Sequence, residues 1–195
     1  MLHKTKLTNL YLKQQLSSKQ IADKLGCSPT KIDYWLSKFE IPKRTISAAV
    51  YRKKNPEGNP FSFNLPVSGQ DMFLYGLGLG LYWGEGTKSN KNSVRLGNSD
   101  PRIIRTFIRF LSEIYSIDRE KLRFGLQIFN DLSPEKVAAI WQSELGITRD
   151  QFYKIIVTPS RNKGTYRRKA DLGVLTLYFN NTKLRNLICG AIEKL

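Results

Sequence analysis

The feature that most limits how this chain can fold is the run Phe73-Leu-Tyr-Gly-Leu-Gly-Leu-Gly-Leu-Tyr-Trp-Gly-Glu-Gly86. As a helix it has two stripes. Leu74, Leu77 and Leu81 recur at helical spacing and form an apolar one. Gly76, Gly80 and Gly84 recur every fourth residue and form a second with no side chains. Each glycine costs a helix about 1 kcal/mol against alanine, and Gly78 is a fourth. Such a cost is offset if a second helix packs backbone to backbone along the glycines. Membrane helices use the same small-residue spacing, but this run is too short and too polar at its end to span a bilayer. Glu85 falls at the helix end, where the dipole disfavours a carboxylate, and Gly86 suits the position just beyond it. Two such helices packed in parallel bring two Glu85 side chains together, and a hard divalent cation with oxygen ligands would satisfy them. The alternative is a capped helix whose Glu85 pairs with Lys88 in water.

Gly78 to Gly86 resemble the nine-residue signature of the LAGLIDADG homing endonucleases. Gly80 matches the internal glycine, Leu81 the second leucine, Gly84 a small position, and Glu85-Gly86 the acid and closing glycine. The departures are the exchanged sizes of Gly78 and Leu79, the bulk of Trp83, and Glu in place of the usual Asp. Single-motif members of that family act as homodimers, and this chain has one copy of the motif. The resemblance therefore implies a homodimer joined at Gly76, Gly80 and Gly84.

A chain of 195 residues accommodates one ordinary domain and a small one. Hydrophobic residues at 41% suffice for a packed core. The formal net charge of +16 argues for a polyanionic partner, nucleic acid or an anionic membrane surface. No transmembrane run or signal peptide is evident, so the expectation is a soluble, intracellular (cytoplasmic) protein that does not engage a membrane. Cys27 and Cys189 have no partners at metal-ligand spacing and read as reduced thiols. His3 is the only histidine, which excludes His-based zinc sites and Ser-His-Asp chemistry.

Residues 1–45 read as three helices. The first spans Leu7 to Leu16, the second Lys19 to Leu25 with Ser18 as cap, and the third follows Ser28 and Pro29. Ile21, Ala22 and Leu25 face inward from the second, and Ile32, Trp35, Leu36 and Phe39 from the third. Helix, Gly26-centred turn, helix is the helix-turn-helix pattern. The phrase from Gln20 to Ile32 resembles the DNA-binding units of bacterial regulators, recombinases and transposition proteins. The third helix would enter the major groove with Ser28, Thr30, Lys31, Tyr34 and Lys38 outward. Thr30 and Tyr34 suit base edges; Lys31 and Lys38 suit phosphates. Residues 46–68 read as a basic linker. Lys43-Arg44 and Arg52-Lys53-Lys54 either follow phosphates or form a solvated charge run.

Residues 69–195 read as helix, hairpin, helix, strand, helix, strand, strand, helix. The hairpin spans Thr87 to Asn98, and the later strands are Lys121–Phe129, Phe152–Val157 and Gly173–Phe179. Helices run from Asp100 to Tyr115, Ser133 to Leu145 and Lys183 to Leu195. The fold class is α+β. The resemblance implies one four-stranded antiparallel sheet backed by helices, with the Ser133–Leu145 helix as an addition. Lys88, Arg95, Arg123 and Gln127 are outward strand candidates for DNA contact. Arg161, Lys163, Arg167, Arg168 and Lys169 give a basic loop suited to phosphates.

The resemblance further implies a Mg²⁺-dependent endonuclease acting on double-stranded DNA. Glu85 would be the catalytic metal ligand, with Asn98, Arg102 and Lys154 around it. The alternative is a DNA-binding regulator on the same scaffold that does not cleave.

Overall fold

Capping side chains lay out the first part of the computed structural model, which describes residues 2–159 and 171–195. The chain divides into two units, Met1–Asn59 and Pro60–Leu195. In the first, α1 (Lys4–Thr8) runs on as a π-helical stretch, Asn9–Lys13, and is followed by α2 (Ser18–Leu25), α3 (Pro29–Lys38) and α4 (Ile46–Lys54). Ser17, rather than Ser18, caps α2: its hydroxyl accepts from the Gln20 N–H while the Gln20 side chain accepts from the Ser17 N–H. Ser18 instead donates to Asp33 at 2.7 Å and so ties α2 to α3. Gly26 closes α2 at φ +64°, a left-handed conformation that costs other residues strain. Ser28 caps α3 and Pro29 occupies its first turn. Leu7, Leu10, Tyr11, Ile21, Ala22, Ile32, Leu36 and Ile41 form the core, with Leu25, Trp35 and Phe39 packed half-buried around it.

Arg44 is built into this unit. Its guanidinium donates to the carbonyls of Tyr11 (2.5 Å), Leu16 (3.0 Å) and Gln15 (3.0 Å) and lies 4.4 Å over the Tyr11 ring. Its backbone N–H donates to the Tyr11 hydroxyl. Charge-assisted bonds to the open end of a helix satisfy carbonyls that have no intrahelical donor. Arg44 is thus already engaged, unlike a phosphate-tracking linker residue. The expected linker also carries α4, capped by the Thr45 hydroxyl.

The second unit is built on α5 (Gly69–Glu85), β1 (Val94–Asn98), α6 (Pro101–Arg109, continuing as a π-helical stretch, Phe110–Ile114), β2 (Arg123–Phe129), α7 (Pro134–Leu145), β3 (Ile156–Thr158), β4 (Val174–Phe179) and α8 (Thr182–Ile192). With its open four-stranded sheet the protein is α+β. The segment before α5 lies on this unit: the Ser62 and Asn64 N–H groups donate to the Tyr115 and Ile114 carbonyls. The sheet order is β1-β4-β2-β3. β4 pairs antiparallel with β1 and β2, but β2 and β3 run parallel. The sheet is therefore mixed, where an all-antiparallel one was expected. The reason is α7: a helix between β2 and β3 returns the chain to the end it started from, as a parallel pair requires.

Two other strands are shorter than expected. The Thr87–Asn98 hairpin forms only its return strand, β1. The Asn90 carboxamide oxygen accepts from the Asn92 and Ser93 N–H groups and the Ser93 hydroxyl, folding the loop on itself. What remains of the outgoing strand is a bridge from Gly86 to Leu96 and a bond from the Thr87 N–H to the Arg95 carbonyl. Phe152–Val157 splits into a bridge from Phe152 to Phe124 and the three residues of β3.

The helices cover one face of the sheet. Leu96, Phe124, Leu126, Leu175, Leu177 and Phe179 are buried there with Phe107, Trp141 and Ile188. Within α5 the inward face is Leu74, Gly78, Leu79 and Tyr82, and Leu77 points outward instead of joining the expected leucine stripe. Tyr82 stacks on Phe107 with ring centroids 5.8 Å apart. A side chain at Gly78 would fall inside the Phe110 ring, whereas one at Gly76, Gly80 or Gly84 would meet nothing.

This contrast makes a prediction. Gly78→Ala destabilises the protein by about 1–3 kcal/mol through overpacking. In the dissociated chain, at protein concentrations too low for pairing, Gly80→Ala leaves stability unchanged or raises it by up to about 1 kcal/mol through helix propensity. Urea unfolding of the two variants checks both signs.

Candidate functional site

Successive residues turn about 100° round a helix, so the face of α5 opposite its buried side is set by the sequence. On it lie Gly76, Gly80 and Gly84 in one row headed by Met72, with Phe73 and Leu77 on one flank and Trp83 on the other. Phe73 is 71% exposed, Trp83 59% and Met72 58%. This is a shallow glycine channel beside apolar ridges, and among the described residues nothing fills it.

Glu85 ends α5 one residue past Gly84, about 100° off the channel and at its foot. It is exposed, and among the described residues it has no hydrogen-bond or ion-pair partner. Lys88, the expected surface partner, donates its ammonium to the Trp83 carbonyl. A cation at a helix C-terminus is favoured there, and this one leaves the carboxylate free. The Lys88 carbonyl in turn accepts from Arg185 of α8 at 2.6 Å, so the turn bearing Glu85 is held from both sides. Gly86 is extended, at φ −73°, and not left-handed as its place after the helix suggested. It is required because a side chain there would overlap the Tyr82 ring and carbonyl.

Of the other acid-site candidates, Asn98 ends β1, the strand that Gly86 bridges. Its carboxamide oxygen accepts from the Asp100 N–H at 2.9 Å. Arg102 is bound through Nε and Nη2 to Asp100, the cap of α6. That pairing holds the Asp100 carboxyl below the usual carboxylate range. Lys154 is exposed beside β2, whereas Glu85 adjoins β1 at the opposite edge, with β4 between those two strands. Neighbouring strands lie about 4.8 Å apart, so their backbones are on the order of 10 Å apart or more. Glu85 and Asn98 are thus on neighbouring backbone segments joined by the Gly86–Leu96 bridge, and Lys154 is apart from them.

The sheet face away from the helices carries the outward strand candidates. Arg95, Tyr178 and Arg123 are direct cross-strand neighbours and form one row. The Arg95 guanidinium lies 5.1 Å from the Tyr178 ring centroid. The next row is Gly97, Thr176 and Gly125, small residues with the Tyr178 ring lying over Gly125 and the Thr176 hydroxyl against Gly97. Gln127 follows, donating to Thr158 across to β3. Arg123, Arg95 and Gln127 thus share one face, with both cations in the row of Tyr178. In the first unit, Ser28, Thr30, Lys31, Tyr34 and Lys38 are all exposed on or beside α3. Lys38 stands 4.9 Å over the Trp35 ring and 5.7 Å over Tyr34. Arg161, Lys163, Arg167, Arg168 and Lys169 lie outside the described residues.

Sequence reasoning did not single out Tyr178, Thr176 or Arg185. The first two were accessible: the alternation in Val174–Phe179 puts them on the face that carries Arg123. Arg185 gave no local signal, since its contact is with a residue 97 positions earlier.

No helix among the described residues is long and apolar enough to cross a membrane. Comparison of the chain with protein-family models, with curated proteins and with solved structures finds no match.

Proposed function

We propose that this protein binds specific sequences of double-stranded DNA as a homodimer and cleaves them as a LAGLIDADG-type, Mg²⁺-dependent endonuclease. The observation that carries the reading is the exposed glycine channel of α5 with an unpaired carboxylate at its foot. A helix whose glycines pack on nothing bears the cost of those glycines without return unless another helix occupies the channel. A two-fold axis along α5 lets the ridges of each copy enter the channel of the other. It also brings the two Glu85 carboxylates to the same end.

Glu85 fits the metal proposed for it. It supplies exposed oxygen donors, the donor type a hard cation takes, with no cation among the described residues paired to them. In the proposed dimer the Glu85 of the second copy would add further oxygen donors. Mg²⁺ bound there would activate water and stabilise the departing oxygen of the phosphodiester. Lys88 and Arg185 keep the Glu85 turn in place. Arg95 offers a cation to phosphates beside Tyr178, and Arg123 adds charge to the same row while its Nη1 donates to the Glu120 and Leu122 carbonyls; Tyr178 and Gln127 offer groups to base edges. The first unit reads a separate part of the site through α3, with Thr30 and Tyr34 towards bases. The net charge of +16 supports a polyanion as partner.

The second reading is a regulator that binds in the same way without cutting. It is favoured by the engagement of Asn98 and Arg102 with Asp100 and by the position of Lys154, which leave Glu85 without the assistance expected of them.

Incubating the protein with duplex DNA from the region flanking its own gene separates the two. A discrete double-strand cut with Mg²⁺ and none with EDTA is the expected outcome; a footprint without a cut under both conditions selects the regulator. Glu85→Gln is expected to retain DNA affinity and lose metal-dependent cleavage, and a variant that cuts like the parent excludes Glu85 from the mechanism. A Cβ at Gly80 meets no other described residue within 4 Å, so Gly80→Val is a test of the seam. It is expected to shift the protein from dimer to monomer in sedimentation velocity, with its helical circular dichroism retained.

A further inference from the structure

Helix α4 has a stable cap and a regular length, yet it buries none of its residues. Ile46, Ala49 and Val50 share one face, with Ile46 85% exposed and Val50 49%. Arg52 and Lys54 flank that face at its C-terminal end and Lys53 continues it. From Ile41 to Pro56 the sequence has five basic residues and no acidic one. With Arg44 already bound to three carbonyls, the other four cations are free of any ion pair among the described residues. An apolar stripe bordered by cations does not suit a second copy of itself, because like charges would meet. It suits a DNA groove, where the cations meet phosphates and aliphatic side chains can wedge between base steps.

Geometry then selects the groove. Seven residues, Phe39 to Thr45, separate α3 from α4. Fully extended they reach about 24 Å. Ile41 is buried in the core and Arg44 is clamped to the end of the first helix, so the true reach is shorter. The next turn of major groove lies about 34 Å along the duplex, beyond that reach. The minor groove between is within it.

We infer that α4 is a further DNA-binding element, seated in the minor groove beside the major-groove site of α3, with Ile46 and Val50 against the base steps and Arg52, Lys53 and Lys54 against the phosphates. This rests on the reading of α3 as a DNA-recognition helix. A helix about 10–12 Å across enters a groove about 6 Å wide only if the groove opens. Apolar side chains wedged between base steps produce such opening and kink the duplex. The clamp at Arg44 fixes where α4 starts relative to α3, so the two contacts have a set spacing.

The test uses the full-length chain and a duplex that it selects from a randomised pool. Three proteins are compared: wild type, Ile46→Ser/Val50→Ser, and Lys31→Ala/Tyr34→Ala. The serine substitutions are on the surface, and circular dichroism reports whether α4 still forms. Hydroxyl-radical footprinting of the wild type should protect a minor-groove stretch next to the α3 site, and netropsin, a minor-groove ligand, should displace that part. The serine variant should lose this stretch, keep the major-groove contacts, and bind about tenfold more weakly. Unchanged footprint and affinity in a folded serine variant, alongside lost binding in the Lys31/Tyr34 variant, overturns the role of α4 alone. Unchanged binding in the Lys31/Tyr34 variant overturns the reading of α3, and the inference with it.

Discussion

The architecture of the second unit depends on the contact between the Phe110 ring and the bare backbone at Gly78. It lets α5 lie close on the helical layer above the sheet, with Leu74, Leu79 and Tyr82 sealing the join. A helix anchored so closely on one side has a fixed rotation about its axis. That rotation decides what the other side presents: three glycines in a line with Met72 at its head, between Phe73 and Leu77 on one flank and Trp83 on the other. Gly78 therefore serves the packing inside the chain, while Gly76, Gly80 and Gly84 lie on the opposite, open face.

The second consequence is electrostatic. A carboxylate at a helix C-terminus is unfavourable, and a lysine three residues on is an obvious neutralising partner. Lys88 instead serves the Trp83 carbonyl, and Arg185 pins the loop that follows. The helix end is satisfied without consuming the acid. An acid left unpaired on a turn held at both ends is suited to binding something external, which is why the proposal centres on Glu85 and less on Asn98, Arg102 or Lys154.

Much of this was legible in the sequence where the signal was local. Periodicity located every long helix of the second unit, and the Ser28-Pro29 cap marked the start of α3. The alternation in Arg123–Phe129 correctly placed Arg123 and Gln127 on the open face. The failures came from particular side-chain and topological partners, near or far in the chain, that a pattern of apolar and polar residues does not encode. The outgoing hairpin strand lost to the side-chain hydrogen bonds of Asn90. The direction of β3 was set by the crossover through α7. Arg44 looked like a linker cation because nothing near it in sequence predicts that Tyr11, Gln15 and Leu16 would present it with open carbonyls. Gly86 does cap α5, its N–H donating to the Tyr82 carbonyl, but it is extended, and what requires a glycine there is the Tyr82 ring beneath it.

The central claim is that two copies of this chain meet backbone to backbone along α5. Disulfide trapping tests it directly, because the bond forms only when two Cα atoms lie within about 4.4–6.8 Å. In a chain with Cys27 and Cys189 replaced by serine, Gly80→Cys should give a covalent dimer under mild oxidation. Leu187→Cys, which is also exposed but lies on α8, should remain monomeric on a denaturing gel. Equal trapping at both positions, or none at position 80 with the protein folded, would contradict the pairing of α5.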